Sequence, residues 1–143
     1  MISLDEIQSM WEKDSKINID DLHNESLKVS TLHAKYYELY NNISLLRKKS
    51  EIQYKQKKLE RYNYYNGKAD PEVYKKEPFP YKIRDKEGLA RYLDGDEILS
   101  NIFMKIEYYD TMLKYLEEIV KMISSRTYQI KNSIEFLKFQ SGM

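Results

Sequence analysis

Between Arg47 and Tyr65 the sequence interleaves cations with tyrosines. Arg47, Lys48, Lys49, Lys55, Lys57, Lys58 and Arg61 alternate with Tyr54, Tyr62, Tyr64 and Tyr65, and only Glu51 and Glu60 oppose them. Cations that track phosphates and aromatic faces on which bases stack are the two ingredients of binding to single-stranded nucleic acid, each stack contributing about 1–3 kcal/mol. The candidate contacts are Arg47, Lys48, Lys49, Lys55, Lys57, Lys58, Arg61, Tyr62 and Tyr65. The competing reading is a solvated helix face whose tyrosines pack, since the chain uses tyrosine freely, with 14 in all. On a helix Tyr62 and Tyr65 share a side that Tyr64 does not, so at most two of the three are expected to share a task.

No other constellation points to chemistry. His23 and His33 stand ten residues apart and close to opposite faces of a helix, which makes neither a metal pair nor a nucleophile–base arrangement. The glycines, at 67, 88, 95 and 142, form no phosphate loop. Asp94, Asp96 and Glu97 lack the ligand spacing of a calcium loop, and helix capping explains them better. With no cysteine there is neither a disulfide framework nor a thiolate metal site. The expectation is a protein with no catalytic residues, no cofactor and no metal. No apolar run approaches the roughly 18 residues of a membrane span, and the first residues lack the basic-then-apolar layout of a secretion signal, so a soluble, intracellular chain is expected.

The formal net charge of +1 hides an uneven distribution. Lys and Arg number 3 against 7 acids in residues 1–32, 9 against 3 in residues 33–68, and 12 against 13 in residues 69–143. This is a basic patch on a near-neutral protein.

Few glycines and prolines with 33% charged residues point to an all-α protein of long helices. A single helical domain is expected over 1–143: N-terminal helices in 1–67 with the nucleic-acid segment at 47–67, an irregular connector over 68–95, and an association helix over 96–140. The first helix spans 3–13 with Ser3 as cap and Leu4, Ile7 and Trp11 on one face. Asp20 caps a second helix from Asp21. Leu32, Tyr36, Leu39, Ile43 and Leu46 then step by four and three, the spacing of a bundle-facing stripe. Past Arg47 only Ile52 and Leu59 remain as aliphatic anchors, so residues 47–66 read as a helix largely in solvent. Asn66-Gly67 ends it with a left-handed cap. In the connector, Pro78-Phe79-Pro80 holds an extended segment and Leu89–Leu93 forms a helical turn.

Capped by Asp94 or Asp96, the last helix runs from Glu97 to Phe139. Ile102, Tyr109, Leu113, Leu116, Val120, Ile123, Thr127, Ile130, Ile134 and Leu137 follow a 4-3 pattern over more than four heptads, with Ile106 bridging the first gap. Ile98, Phe103, Met112, Ile119, Met122, Phe136 and Phe139 widen the stripe beyond a two-helix seam. At about 1.5 Å per residue the helix is about 60 Å long, too long for this chain to cover alone, and self-association through it is expected.

The stretch "LERYNYYNGKAD" (59–70) resembles the basic Leu-x-Arg-x-x-Tyr-Tyr-x-Gly motif of the UvsY-like recombination mediators of T-even-type bacteriophages. "LDEIQ" (4–8), "INIDDL" (17–22), "AKYYEL" (34–39) and "SSRTYQIK" (124–131) agree in the same order, so the resemblance spans nearly the whole chain. It implies a non-enzymatic helical protein that forms a homo-oligomeric ring of six or seven subunits through its C-terminal helix and binds and wraps single-stranded DNA. It further implies loading of a phage RecA-like recombinase onto strands coated by the phage ssDNA-binding protein, contact with both partners, and action in the cytoplasm of the infected host. By position, Arg61 matches a DNA-contacting arginine of the motif. The motif's lysine falls on Leu59, where Lys57 or Lys58 stands in. The Pro-Phe-Pro segment and "IRDKEGLARYLDGDE" (83–97) fit the family poorly, and nothing is carried over there.

Overall fold

The computed structural model describes residues 1–142, and its regular elements are helices. In chain order they are α1 (Leu4–Asp14), a 3-10 turn (Ile19–Asp21), α2 (Leu22–Leu27), α3 (Val29–Tyr65), α4 (Pro71–Lys76), α5 (Lys86–Asp94) and α6 (Glu97–Gln140). No strand occurs among the described residues. The chain divides into two compact units. One joins Met1–Ser44 with the described residues from Thr111 onward, and the other is Leu45–Asp110. Both α3 and α6 contribute to each unit.

In the first unit, the Ser3 hydroxyl accepts from the Glu6 N–H and starts α1. Ile7 is wholly buried, and Trp11 sets its ring edge-on to buried Tyr36, centroids 5.5 Å apart. Tyr36 Oη and Lys35 Nζ each donate to Asp14 at 2.7 Å. The helix expected from Asp21 behind an Asp20 cap begins differently. Asn18 caps the 3-10 turn by accepting from the Asp20 N–H, while Asn24 engages the Asp21 carboxylate. Helical bonding continues through Lys28, from its N–H to Asn24 and from the Leu32 N–H to its carbonyl. Arg126 of α6 ties these pieces down by donating to the carbonyls of Asp14 and Lys16 and to the Glu25 carboxylate at 2.8 Å. Both Arg126 and Glu25 are buried.

In the second unit α3 and α6 pair antiparallel. Arg47 bonds Asp110, Tyr54 packs on Phe103, and Arg61 bonds Asp96. Each step advances seven residues on α3 and retreats seven on α6, the repeat of a coiled-coil seam. Small, buried Ser50 lies between the first two steps, while Leu99, Ile102, Ile106 and Tyr109 fill the α6 side. Ile52 and Leu59, expected as anchors, instead face outward at 57% and 62% exposure, because polar and aromatic residues have taken the seam positions. The expected left-handed cap is present. Gly67 has φ +73°, its N–H bonds the Tyr64 carbonyl, and the Lys68 N–H bonds the Asn63 carbonyl, the double bond of a Schellman motif.

The connector holds two short helices where the sequence predicts a single helical turn. Pro71 sits at the first position of α4, where its fixed φ and missing N–H favour helix initiation. Asp85 accepts from the Gly88 N–H and caps α5, which is longer than Leu89–Leu93. Residues 78–84 between them are neither helix nor strand.

The α6 stripe divides into two parts. Ile102, Tyr109, Leu116, Ile123 and Ile130 are buried by the chain itself, and Leu113 and Val120 are half-buried. Most of the expected association seam is thus already covered by other parts of the same chain. Ile134 and Leu137, with Phe136 and Phe139, are the part left exposed.

The Glu25 clamp links stability to pH. Burial pushes its carboxyl up, but hydrogen bonds from Arg126 and Lys28 outweigh this and hold it below its ordinary value of 4.5. The unfolded chain therefore takes up the proton first as pH falls, and the contribution is full above about 4.5 and lost through the lower folded value. Thermal melts followed by circular dichroism from pH 7 to pH 3 are expected to show Tm falling below about pH 4.5. In Glu25→Gln the melts start lower and the Glu25 part of the acid slope disappears.

Candidate nucleic-acid interface

The candidate residues from Arg47 to Tyr65 all lie in the second unit, on the C-terminal half of α3, and the helix sorts them by face. Lys48, Lys49, Lys55, Lys58 and Tyr62 are exposed, and among the described residues none of these four lysines has an ion-pair partner. Lys58 Nζ lies 5.9 Å from the centroid of the Tyr54 ring, so a cation and an aromatic face stand side by side one turn apart. Leu45, Ile52 and Leu59 are exposed on the same half of α3, spaced by seven. The other candidates are engaged. Lys57 makes a surface pair with Glu60 at 2.9 Å. Arg47 donates to Asp110 and Glu51, both within the unit, and these bonds favour its charged form.

Arg61 is not on the surface. Its side chain is 10% exposed, and its Nε donates to Asp96 at 2.6 Å. Its two terminal nitrogens reach the Glu77 carboxylate at 3.2 and 3.1 Å, a bidentate fork. The guanidinium carbon lies 4.2 Å from the Tyr64 ring centroid and 5.1 Å from that of Tyr65. Tyr65, the second expected stacking residue, is buried too, and its hydroxyl donates to Asp96 at 2.6 Å. The expected division of the tyrosines is therefore corrected. Tyr64 and Tyr65 go inward together, because the connector folds over both, and Tyr62 alone points out.

Asp96 satisfies three donors from two helices at once. One oxygen caps α6 by accepting from the Leu99 N–H at 2.9 Å, and the other accepts from Arg61 and Tyr65. Burial pushes its carboxyl up, but bonds from Tyr65, the Leu99 N–H and Arg61 outweigh this and hold it below 3.8. Burial raises Tyr64 and Tyr65, and the Asp96 bond adds to the rise at Tyr65. Of the acidic trio, Asp96 therefore serves as cap and counter-ion. Among the described residues no group of histidine and carboxylate side chains is disposed to hold a metal ion.

The connector supplies residues that the reading of the sequence passed over. Glu77 completes the Arg61 fork, and its carbonyl accepts from Tyr64 Oη at 2.8 Å. Tyr74 stacks on Tyr64 at 5.3 Å, and Phe79 contacts Tyr64, Tyr65, Tyr81 and Tyr92 at 5.1–5.7 Å. The available signal was compositional, the four aromatics Tyr74, Phe79, Tyr81 and Tyr92 in a segment with too few aliphatics to build a core.

Fold and face together define a class: a helical protein, without strands among its described residues, that presents an unpaired cationic helix face bearing a tyrosine. The chain belongs to the UvsY family, described as recombination, repair and ssDNA binding protein UvsY, which it matches over residues 10–143. A similar protein is the recombination protein uvsY of Enterobacteria phage T4, 22% identical over 139 residues, covering 97% of this chain and 98% of that one. Crystal structures of the bacteriophage T4 recombination mediator protein UvsY share the fold. The lattice type IV form has a TM-score of 0.86 at 21% identity, covering 96% of this chain and 99% of the other. The type I form has 0.83 at 22%, covering 93% and 97%.

Removing one partner of a buried ion pair strands the other, at a cost of about 3–5 kcal/mol. Arg61→Ala is expected to lose about that much in urea denaturation followed by circular dichroism. Glu77→Gln, which replaces a carboxylate that is half in solvent, should cost under about 1 kcal/mol. A loss in Arg61→Ala no greater than in Glu77→Gln would show that the buried pair is not what holds the unit.

Proposed function

We propose that this protein is a single-stranded-DNA-binding recombination mediator. In this reading it helps load a phage RecA-like recombinase onto strands coated by the phage ssDNA-binding protein, during recombination, recombination-dependent replication and repair in the cytoplasm of the infected host. The observation that carries the reading is the set of four exposed lysines, without an ion-pair partner among the described residues, on the half of α3 that also exposes Tyr62, in a chain that belongs to the UvsY family. Lys48, Lys49, Lys55 and Lys58 contact phosphates and Tyr62 stacks on a base, with Lys57 able to join by releasing the surface carboxylate of Glu60, while Arg47 stays in the seam with Asp110. Arg61 and Tyr65 act from beneath by fixing the end of α3.

Several subunits present this face together. The exposed end of α6, with Ile134, Phe136, Leu137 and Phe139, is the surface through which a ring of six or seven copies assembles. Linking weak sites raises avidity by about 10²–10⁴ where geometry permits, so a modest patch per subunit suffices. Wrapping then holds the strand in a shape for which the recombinase has the greater affinity, and that differential affinity drives the exchange. No step makes or breaks a covalent bond on this chain.

A second reading, a helical oligomeric adaptor that docks a protein and not DNA, is favoured by the exposed Leu45, Ile52 and Leu59 among the lysines. Salt dependence separates the two. If four lysines neutralise phosphates, log affinity for a labelled oligo-dT falls with log salt at a slope of about −3 per subunit engaged. Fluorescence anisotropy is expected to show this slope in the wild type, and its loss in Lys48→Ala/Lys49→Ala/Lys55→Ala/Lys58→Ala with the melt unchanged. Equal binding by both proteins would favour the adaptor. Separately, Phe136→Asp/Leu137→Asp is expected to shift sedimentation velocity from an assembly to a single subunit while leaving helicity intact.

A further inference from the structure

The aromatic cluster of the second unit grades from buried to open, and its open end resembles nothing needed for packing. Tyr64 and Tyr65 are covered, Phe79 is half-covered, and Tyr92 and Tyr81 reach 38% and 65% exposure. The rings of Tyr81 and Tyr92 lie 28° from parallel with centroids 6.4 Å apart. Phe79 supports both from one side, edge-on to Tyr81 at 5.7 Å and perpendicular to Tyr92 at 5.2 Å. A large ring held in place by its neighbours yet left in water is preorganised to stack, with its conformational cost already met in the free protein. Beside it is a cleft of about 610 Å³ lined by Tyr65, Gly67, Phe79, Tyr81, Lys82 and Arg84, within the roughly 300–1,000 Å³ of small-ligand sites. Both cations are exposed, and among the described residues neither has an ion-pair partner. The cleft also borders the turn at Asn66 and Gly67 that ends α3.

We propose that this cleft is a second single-strand subsite, in which an unstacked base lies on Tyr81 and Lys82 and Arg84 hold the adjoining phosphates. The proposal rests on the single-strand reading of the α3 face and adds a base-recognising element from a segment to which the family motif does not extend. An open aromatic face tolerates any base, and two cations two residues apart in the non-helical segment that lines the cleft suit the successive charges of a strand. The α3 lysines supply attraction without a rigid platform, since among the described residues no ring packs against Tyr62. The cleft supplies the platform, because Tyr81 is backed by two further rings.

The test uses the full chain and an oligo-dT carrying 5-iodouracil, cross-linked by light and mapped by peptide mass spectrometry, with affinities measured by anisotropy. Cross-links are expected at Tyr81 or Tyr92. Tyr81→Ala should weaken binding about fivefold or more, and Tyr81→Phe, which keeps the ring, should bind as the wild type does. Lys82→Ala/Arg84→Ala should make the salt slope shallower by about 1.4. These residues are exposed, so melts of the variants should match the wild type. If the α3 lysine variant loses binding while Tyr81→Ala and Lys82→Ala/Arg84→Ala bind normally, with cross-links confined to α3, the subsite is overturned and the mediator reading stands. If the wild type does not bind the strand at all, both fall together.

Discussion

Taking the Arg61 guanidinium out of water costs several kcal/mol unless its charge and its donors are all met. In the second unit three elements meet them: Asp96 at the start of α6, Glu77 after α4, and the rings of Tyr64 and Tyr65 on α3 itself. Each partner is thereby placed. Asp96 is held where it caps α6, Glu77 is held where its carbonyl receives Tyr64, and the connector is drawn over the aromatic rings. The exposed lysines are the outer face of the same helix turns, so their presentation follows from what the inner face must satisfy.

The first unit solves a similar problem in the same way. Arg126 is buried and serves the Glu25 carboxylate and two backbone carbonyls, that of Asp14 at the end of α1 and that of Lys16 beyond it. Two of the sequence stretches that carry the family resemblance, 59–70 and 124–131, thus each contain a buried arginine that binds remote pieces of chain. A basic residue in a motif of a nucleic-acid-binding family is readily taken for a phosphate contact. Here the motif arginine is spent on internal carboxylates, and the cations left without an ion-pair partner among the described residues are Lys48, Lys49, Lys55 and Lys58, earlier on the same helix.

The helical architecture was legible because it depends on local signals. Ser3, Asn66-Gly67 and Asp96 mark ends by their own side-chain or backbone chemistry, and the 4-3 stripe of α6 gave its bounds to within one residue. Burial of Arg61 was not legible, since its partners lie 16 and 35 residues away and nothing in the local pattern distinguishes it from Lys58. The connector was misjudged for a related reason: its core is aromatic, and a search for aliphatic periodicity finds none. The exposed position of Ile52 and Leu59 reverses the usual rule for the same cause. Arg61, Ser50 and Tyr54 occupy the seam, and the aliphatics are displaced to the outer face.

The seven-residue steps of Arg47–Asp110, Tyr54–Phe103 and Arg61–Asp96 also constrain how the sequence can change in length. One residue inserted in either helix between these steps rotates everything beyond it by about 100°, turning Arg61 toward solvent or Lys58 toward the seam. A gain of seven in one helix restores the face but shifts each pair by one step, unless the other helix gains seven as well. Within this unit, descendants of the sequence can drift widely in residue identity, while their two long helices keep length or change it only in matched heptads.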